Sequence, residues 1–296
     1  VEPDTPRAIV TGAAGQLGQA LLQTAPATFT CHGLDRAACD ICDAAALGAL
    51  LDEQRPALLI NAAAYTAVDR AESEPEAALA ANATAPGLLA AACTERGIRL
   101  LHVSTDFVFD GSRSSPYTED APTAPLGVYG RSKLAGERAV RQAAPDALIL
   151  RTGWVYSQRG HNFLCTMLRL HGEREALSVV ADQVGTPTAA HSLAEALWAA
   201  ASRPQLRGIY HWSDAGVCSW YDFAVAIGEE GVALGLLERS AEVQPISTAD
   251  YPTPARRPAY SVLDKTRSWR DLALRPRHWR AQLRSVMTIM AEDNDG

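Results

Sequence analysis

"RAIVTGAAGQLGQALLQ" at residues 7–23 runs an apolar strand into a glycine-bearing turn and then into an apolar helix. Gly12, Gly15 and Gly18 recur every three residues. Glycine at such a turn permits a tight reversal, close approach of backbone to a pyrophosphate, and tight packing of helix on strand, with the anion at the helix N-terminus. The spacing departs from GxGxxG, so the match to a dinucleotide fingerprint is one of mechanism rather than of letter. A second strand in "TFTCHGLD" at 28–35 ends on Asp35, 17 residues after Gly18. That is near the place of a carboxylate gripping an adenosine ribose. Arg36 follows and could accept a 2′-phosphate, so NADH and NADPH both stay open as cofactors.

Outward from this motif, apolar strands at 8–11, 28–34, 57–63, 98–104 and 147–153 alternate with helical stretches at about 15–25, 44–54, 76–96 and 130–143. Strands apolar almost throughout, alternating with helices, predict an α/β chain with a Rossmann-type, doubly wound parallel sheet. Ligands of such sheets bind beyond the carboxyl ends of the strands, which would collect Gly12, Asp35, Ala62 to Thr66, Thr105 and Trp154 on one rim. Past residue 155 the pattern loosens into helices near 163–171, 191–201, 219–230 and 276–290. The expected organisation is a cofactor-binding domain over 1–155, with return segments near 190–215 that include Gly208 to Trp212. A smaller C-terminal α/β lobe over 156–296 would bind substrate.

A chain of 296 residues, 47% hydrophobic, can bury a substantial core. Its net charge of −7 argues against a nucleic-acid partner. No apolar run is expected to reach a membrane span, and "VEPDTPR" lacks the apolar core of a signal peptide, so the expected location is cytoplasmic. The cysteines at 31, 39, 42, 93, 165 and 218 contain a single CxxC, Cys39 and Cys42. Without a second pair at ligand spacing no metal site is expected.

"VYGRSKLAGE" at 128–137 sets Tyr129 and Lys133 four residues apart, on one face of a helix. An ammonium about 5 Å from a phenol, at an effective dielectric near 20, favours phenolate by roughly 3 kcal/mol, or about 2 pK units. Tyr129 is therefore expected to be acidified and to serve as a proton donor. An ordinary amphipathic helix would show the same spacing. Weight comes from "VSTDFVF" at 103–109, which supplies Ser104, Thr105 and Asp106 just upstream.

Taken together, the glycine turn, "NAAAYTAVDRAE" at 61–72, "STDFVFDG" at 104–111, "YGRSK" at 129–133, "RTGWVY" at 151–156 and "DQVGTPT" at 182–188 resemble the extended short-chain dehydrogenase/reductases. Within them the chain is most similar to the dTDP-4-dehydrorhamnose reductase family, over about residues 8–290. The resemblance implies reduction of the C4 ketone of a dTDP-linked 6-deoxyhexulose by NADPH or NADH. Tyr129 would be the proton donor, Lys133 the group that holds the nicotinamide ribose, and Thr105 the partner of the substrate carbonyl. Gly15, Gln16 and Leu17 would border the pyrophosphate, Asp35 the ribose, Asp40 and Ile41 the adenine, and Ala64, Tyr65 and Thr66 the middle of the cofactor. Asp106 would meet a sugar hydroxyl, Trp154 the deoxysugar ring and Asn162 the diphosphate, while Arg256 or Arg257 would balance its charge.

Two rival functions share the pattern. A nucleotide-sugar dehydratase or epimerase has the same fold, but Phe107 follows Asp106 where a dehydratase needs a second carboxylate. A non-catalytic subunit similar to the regulatory subunit of methionine adenosyltransferase would not require Thr105, Tyr129, Lys133 and Trp154 together. Some relatives dimerise around magnesium held by glutamates; Ala20 and His191 stand at the corresponding positions, so a monomer or weak homodimer without bridging metal is expected. Sedimentation velocity with and without EDTA should give the same sedimentation coefficient, and a chelator-sensitive dimer would overturn the expectation.

Overall fold

A computed structural model describes residues 5–275 and 277–294 of the chain. Five strands alternate with helices up to residue 152: β1 (Arg7–Thr11), α1 (Gln16–Gln23), β2 (Thr30–Leu34), α2 (Ala44–Gln54), β3 (Leu58–Asn61), the short α3 (Val68–Ala71), α4 (Pro75–Leu79) and α5 (Ala85–Glu95), β4 (Arg99–Thr105), α6 (Val128–Ala143) and β5 (Leu148–Thr152). The chain then forms β6 (Val155–Tyr156), α7 (Phe163–Glu173), β7 (Ala176–Val180), β8 (Val184–Gly185), β9 (Thr188–Ala189) and α8 (Ala190–Ala201) before β10 (Gly208–His211). β10 joins the sheet beside β5, giving the all-parallel order β10-β5-β4-β3-β1-β2. Because β1 pairs with β2 on one side and β3 on the other, the chain reverses its winding there, and a crevice opens at the carboxyl ends of β1 and β3.

The strands read as continuously apolar because alternate residues serve opposite faces. Ala8, Val10, Leu58, Ile60, Leu148 and Leu150 pack with Leu17 and Leu21 of α1 and Leu193, Leu197 and Trp198 of α8. Ile9, Leu59, Leu100 and Ile149 pack with Leu47 and Leu51 of α2, Leu89 and Cys93 of α5, and Val140 of α6. Ala20, at the expected position of a metal-bridging residue in some relatives, lies in the first of these layers, while His191 Nε2 meets Gln282 Oε1 at 3.1 Å.

Residues 75–95 depart from the expected simple helix. α4 and α5 are joined by a π-helical turn over Ala80–Thr84. Pro86, four residues after Asn82, has no N–H for the Asn82 carbonyl and would clash with it in regular geometry; the widened turn accommodates it. The whole 21-residue helix has a stretch of mean hydropathy 1.3, long and apolar enough by composition to cross a membrane. This corrects the expectation that no such run exists. In the fold, Ala78, Ala85, Leu89, Ala90 and Cys93 of this helix are buried, and α5 packs between α2 and α6.

The remaining elements are β11 (Cys218–Ser219), α9 (Trp220–Ala233), β12 (Glu242–Ile246), α10 (Thr266–Leu272) and α11 (Trp279–Asn294). β12 pairs in parallel with β7, a sheet with no clear alternation in the sequence. α7, α9 and α11 close around Tyr156, Leu164, Met167, Leu177, Phe223, Ile227 and Leu283 as a second core.

Helix α6 approaches the π turn at backbone distance. A Cβ added at Gly136 would lie 2.0 Å from Asn82 O, so even one methyl must push the helix away. Gly136→Ala should cost about 1–3 kcal/mol, the usual scale of overpacking, read as a lowered midpoint in urea unfolding. An unchanged midpoint would show that the contact is loose.

Candidate active site

The crevice beyond β1 and β3 continues into a cleft of about 1030 Å³ that runs toward the second core. Its first wall is the glycine turn. Gly12 has φ +70°, and a Cβ there would sit 2.7 Å from Ala63 N; a Cβ at Gly18 would sit 2.2 Å from Gly12 O. These two glycines are required by packing. Gly15, the N-cap of α1, is different, since a Cβ there would meet only Gly12 O at 3.2 Å. Its bareness leaves room at the helix N-terminus for a phosphate. Asp35 and Arg36, both exposed, lie farther along with Asp40 and Ile41. Asp35 Oδ1 accepts the Ala37 and Ala38 N–H groups at 3.0 and 2.9 Å, which fixes the carboxylate in place. These residues fit a dinucleotide.

The middle of the cleft is held by a residue that sequence reasoning missed. Asn82, fully buried in the π turn, accepts the Tyr65 N–H at 2.8 Å and donates to Tyr65 O at 3.0 Å and to Ser132 Oγ at 3.0 Å. Ser132 in turn donates to Tyr129 O at 2.8 Å. One amide therefore sets the Ala64–Tyr65–Thr66 loop against the helix that carries Tyr129 and Lys133. A lone asparagine on the buried face of an alanine-rich helix was the signal available. Beneath it, Thr11 Oγ1 donates to Asn61 Oδ1 at 2.7 Å, and Asn61 Nδ2 meets His102 Nδ1 at 3.0 Å, joining the ends of β1 and β3 to the middle of β4.

Thr105, Asp106, Tyr129 and Lys133 form the floor. Thr105 donates to Asp106 Oδ1 at 3.1 Å and accepts the Phe107 N–H at 3.2 Å. Asp106 is buried, and desolvation pushes its carboxyl up to about 6, against hydrogen bonds from Ser261 and Thr105. The electrostatics of Tyr129 correct the expectation from spacing. Loss of water pushes the phenol up to about 12; the Thr105 hydroxyl opposes this and the Asp106 charge adds to it. The Lys133 Nζ donates one of its N–H groups to Val103 O at 2.7 Å. Burial also pulls Lys133 down to about 8, against the raising influence of Glu137.

At the far end Trp154 holds φ +52°, outside the usual region for a side-chain-bearing residue. Its indole stacks on Trp220 with centroids 3.5 Å apart and planes 3° from parallel. Asn162 lines the cleft, but its Oδ1 caps α7 by accepting the Cys165 N–H, and its Nδ2 donates to Gln16 Oε1, Ser157 O and Arg159 O. Its polar atoms are thus engaged within the fold. Of the two arginines only Arg257 lines the cleft, and Asp69 binds it at 2.8 Å; Arg256 is exposed and outside. Trp220, His161 and Thr152 also line the cleft and were missed; Thr152 sits within "RTGWVY", whereas nothing singles out Trp220 or His161.

Comparison with known proteins places this geometry. The RmlD substrate binding domain family model matches residues 7–292. The chain belongs to the dTDP-4-dehydrorhamnose reductase family. It is 42% identical to the reductase of Aggregatibacter actinomycetemcomitans over 95% of this chain and 98% of that one. It is 41% identical to the reductase of Sinorhizobium fredii over 98% and 99%. Among solved structures, the family's Bacillus anthracis reductase in complex with NADP superposes with a TM-score of 0.90 at 36% identity, covering 96% of this chain and 99% of that one.

Membership in the family makes sense of "DQVGTPT". A Cβ at Gly185 would lie 2.5 Å from Trp154 Cε2, so this glycine leaves room for the indole that faces the cleft. Gly185→Ala should displace Trp154 and raise the KM for a nucleotide sugar by about tenfold or more while leaving cofactor affinity near wild type, on the scale of 1–3 kcal/mol for overpacking. Equal losses for both ligands would place the damage elsewhere.

Proposed function

We propose that the chain reduces the C4 ketone of dTDP-4-dehydro-β-L-rhamnose (dTDP-6-deoxy-L-lyxo-4-hexulose) to dTDP-L-rhamnose, with NADPH or NADH as reductant. The observation that carries this reading is the convergence of Thr105, Tyr129 and Lys133 with the glycine turn and Trp154 in one cleft. When bound, the reduced nicotinamide supplies a hydride. The chain's residues bind, orient and move protons around that event.

Tyr129 gives the proton to the oxygen that was the ketone. A phenol near 12 is fully protonated at neutral pH, and it remains a stronger acid than an alcohol, which is about as weak as water. Transfer to a developing alkoxide is therefore downhill without acidification by lysine. Lys133, mostly an ammonium at pH 7, keeps N–H groups for the ribose hydroxyls beyond the one it gives to Val103. Thr105 orients the substrate carbonyl by turning its hydrogen away from Asp106. Asp106 takes a sugar hydroxyl, and Trp154 covers the deoxysugar with its rear face supported by Trp220. Arg257, released from or shared with Asp69, answers the diphosphate charge.

The six cysteines, all free, suit a reducing compartment, and we place the enzyme in the cytoplasm as a monomer or weak homodimer. Oxidation of NADPH and NADH should be followed with the 4-keto sugar nucleotide generated in situ; consumption of neither overturns the reading. Tyr129→Phe should bind cofactor nearly as wild type and turn over at least about a hundredfold more slowly, the scale of a lost general acid. Arg36→Ala should weaken NADPH relative to NADH by about tenfold, the value of one charge-assisted contact; an unchanged ratio would remove Arg36 from the 2′-phosphate site.

A further inference from the structure

Lys133 and Lys265 are the chain's two lysines among 27 lysines and arginines, and both are buried. One helical turn after Lys133 on α6 lies Glu137, 2% exposed. Its Oε1 accepts Ser104 Oγ at 2.6 Å and Arg151 Nε at 2.8 Å, and its Oε2 accepts Arg151 Nη2 at 2.7 Å. Ser104 and Arg151 face each other in the β4–β5 register, and the next pair is Thr105 and Thr152. A single carboxylate thus ties α6 to both strands one residue below Thr105.

The charges around it are few. His102 on β4, beside Lys133, is held neutral by burial and by that lysine. His211 on β10, 3.5 Å from Arg151, is pulled down to about 3 by burial and by the arginine. Glu119, whose carbonyl accepts Arg151 Nη1 at 3.4 Å, has its carboxyl pushed up by burial. Asp106 and Tyr129 lie on the cleft side, both pushed up by loss of water. Lys133 and Arg151 therefore share the charge of Glu137. Were that charge removed, buried Lys133 would lose the influence that raises it.

We infer that Glu137 is a positioning residue for the proposed reduction, fixing α6 in register with β4 and β5 and supplying the negative charge that keeps Lys133 an ammonium. The kinetic consequence rests on the reductase reading; the electrostatic one does not.

With two lysines in the chain, protein labelled with [13Cε]lysine gives two titrating signals, and Lys265→Arg assigns them. Lys133 should titrate near 8 in the wild type. In Glu137→Gln, and in Glu137→Gln/Arg151→Met where the arginine is not left behind without its carboxylate, that midpoint should fall by about one unit or more, the usual effect of losing a neighbouring opposite charge. Lys265 should stay in place as an internal control. Because the ammonium is the working form, the loss of kcat/KM on raising the pH should move to lower pH by the same amount. Glu137→Asp, keeping the charge on a shorter arm, should retain the midpoint and lose turnover. A folded double variant whose Lys133 midpoint and alkaline limb match wild type overturns the inference. A wild type that oxidises neither cofactor with the sugar nucleotide sinks the reductase reading alone, leaving the titration to decide on Glu137.

Discussion

Helix α6 can lie on the π turn of residues 80–84 only because position 136 carries no side chain, and the geometry of the cleft depends on that approach. With the backbones touching, Asn82 reaches both the Tyr65 backbone and Ser132. Glu72 reaches the bare N-terminus of α6, where Val128 N–H donates to its Oε1 at 2.7 Å and Gly127 offers no side-chain cap. Lys133 then reaches down to Val103 O and Glu137 to Ser104. Each of these contacts is short and polar, and none can stretch to follow a helix displaced by even a methyl radius. A local defect in one helix, forced by Pro86, thus locates a tyrosine that is distant in sequence.

Burial works against charge throughout this floor. It pushes Tyr129 and Asp106 up and Lys133 down, so each is shifted toward its neutral form, although at pH 7 only Tyr129 is fully neutral. Such a site is suited to receiving charge rather than storing it: a phenol that keeps its proton until an alkoxide develops, and an ammonium held by one buried carboxylate. The cost of that carboxylate is met by bidentate pairing with Arg151, because a buried ion is tolerated only when its partners satisfy it fully. Two neutral histidines, His102 and His211, complete the surroundings without adding charge.

Much of this fold is legible in the sequence, for a physical reason. Strands buried on both faces must be apolar at every position, so β1, β3, β4 and β5 stand out, and Gly208 to His211 does so weakly but recognisably. Gly12 and Gly18 are legible because backbone contacts forbid a Cβ. The β7–β12 pair is not, since Ala176–Val180 carries exposed residues among its buried ones and Glu242–Ile246 buries none fully. Spacing placed Tyr129 and Lys133 on one helix and in one cleft, yet could not register the burial that pushes the phenol up. Periodicity reports which face a side chain is on; it is silent about which acceptor its end will find, and the Val103 carbonyl lies on another element. Asn162 lines the cleft, and its amide also caps α7 and meets Gln16, partners on other elements that its local sequence does not reveal.

The contacts that close the cleft differ in kind from those that build its walls. Gln16 Oε1 accepts from Ser157 Oγ and Asn162 Nδ2, each at 2.9 Å, and Arg257 binds Asp69 across the opening with both side chains partly exposed. Hydrogen bonds and half-exposed ion pairs of this type contribute about 1 kcal/mol each. The walls rest on cores of Leu, Ile, Val and Phe in which each buried side chain contributes about 1.5–3 kcal/mol. The polar contacts across the cleft are thus individually weak beside the two cores, and Gln16, at the start of the phosphate-facing helix, joins the glycine turn to the Ser157 and Asn162 side of the cleft.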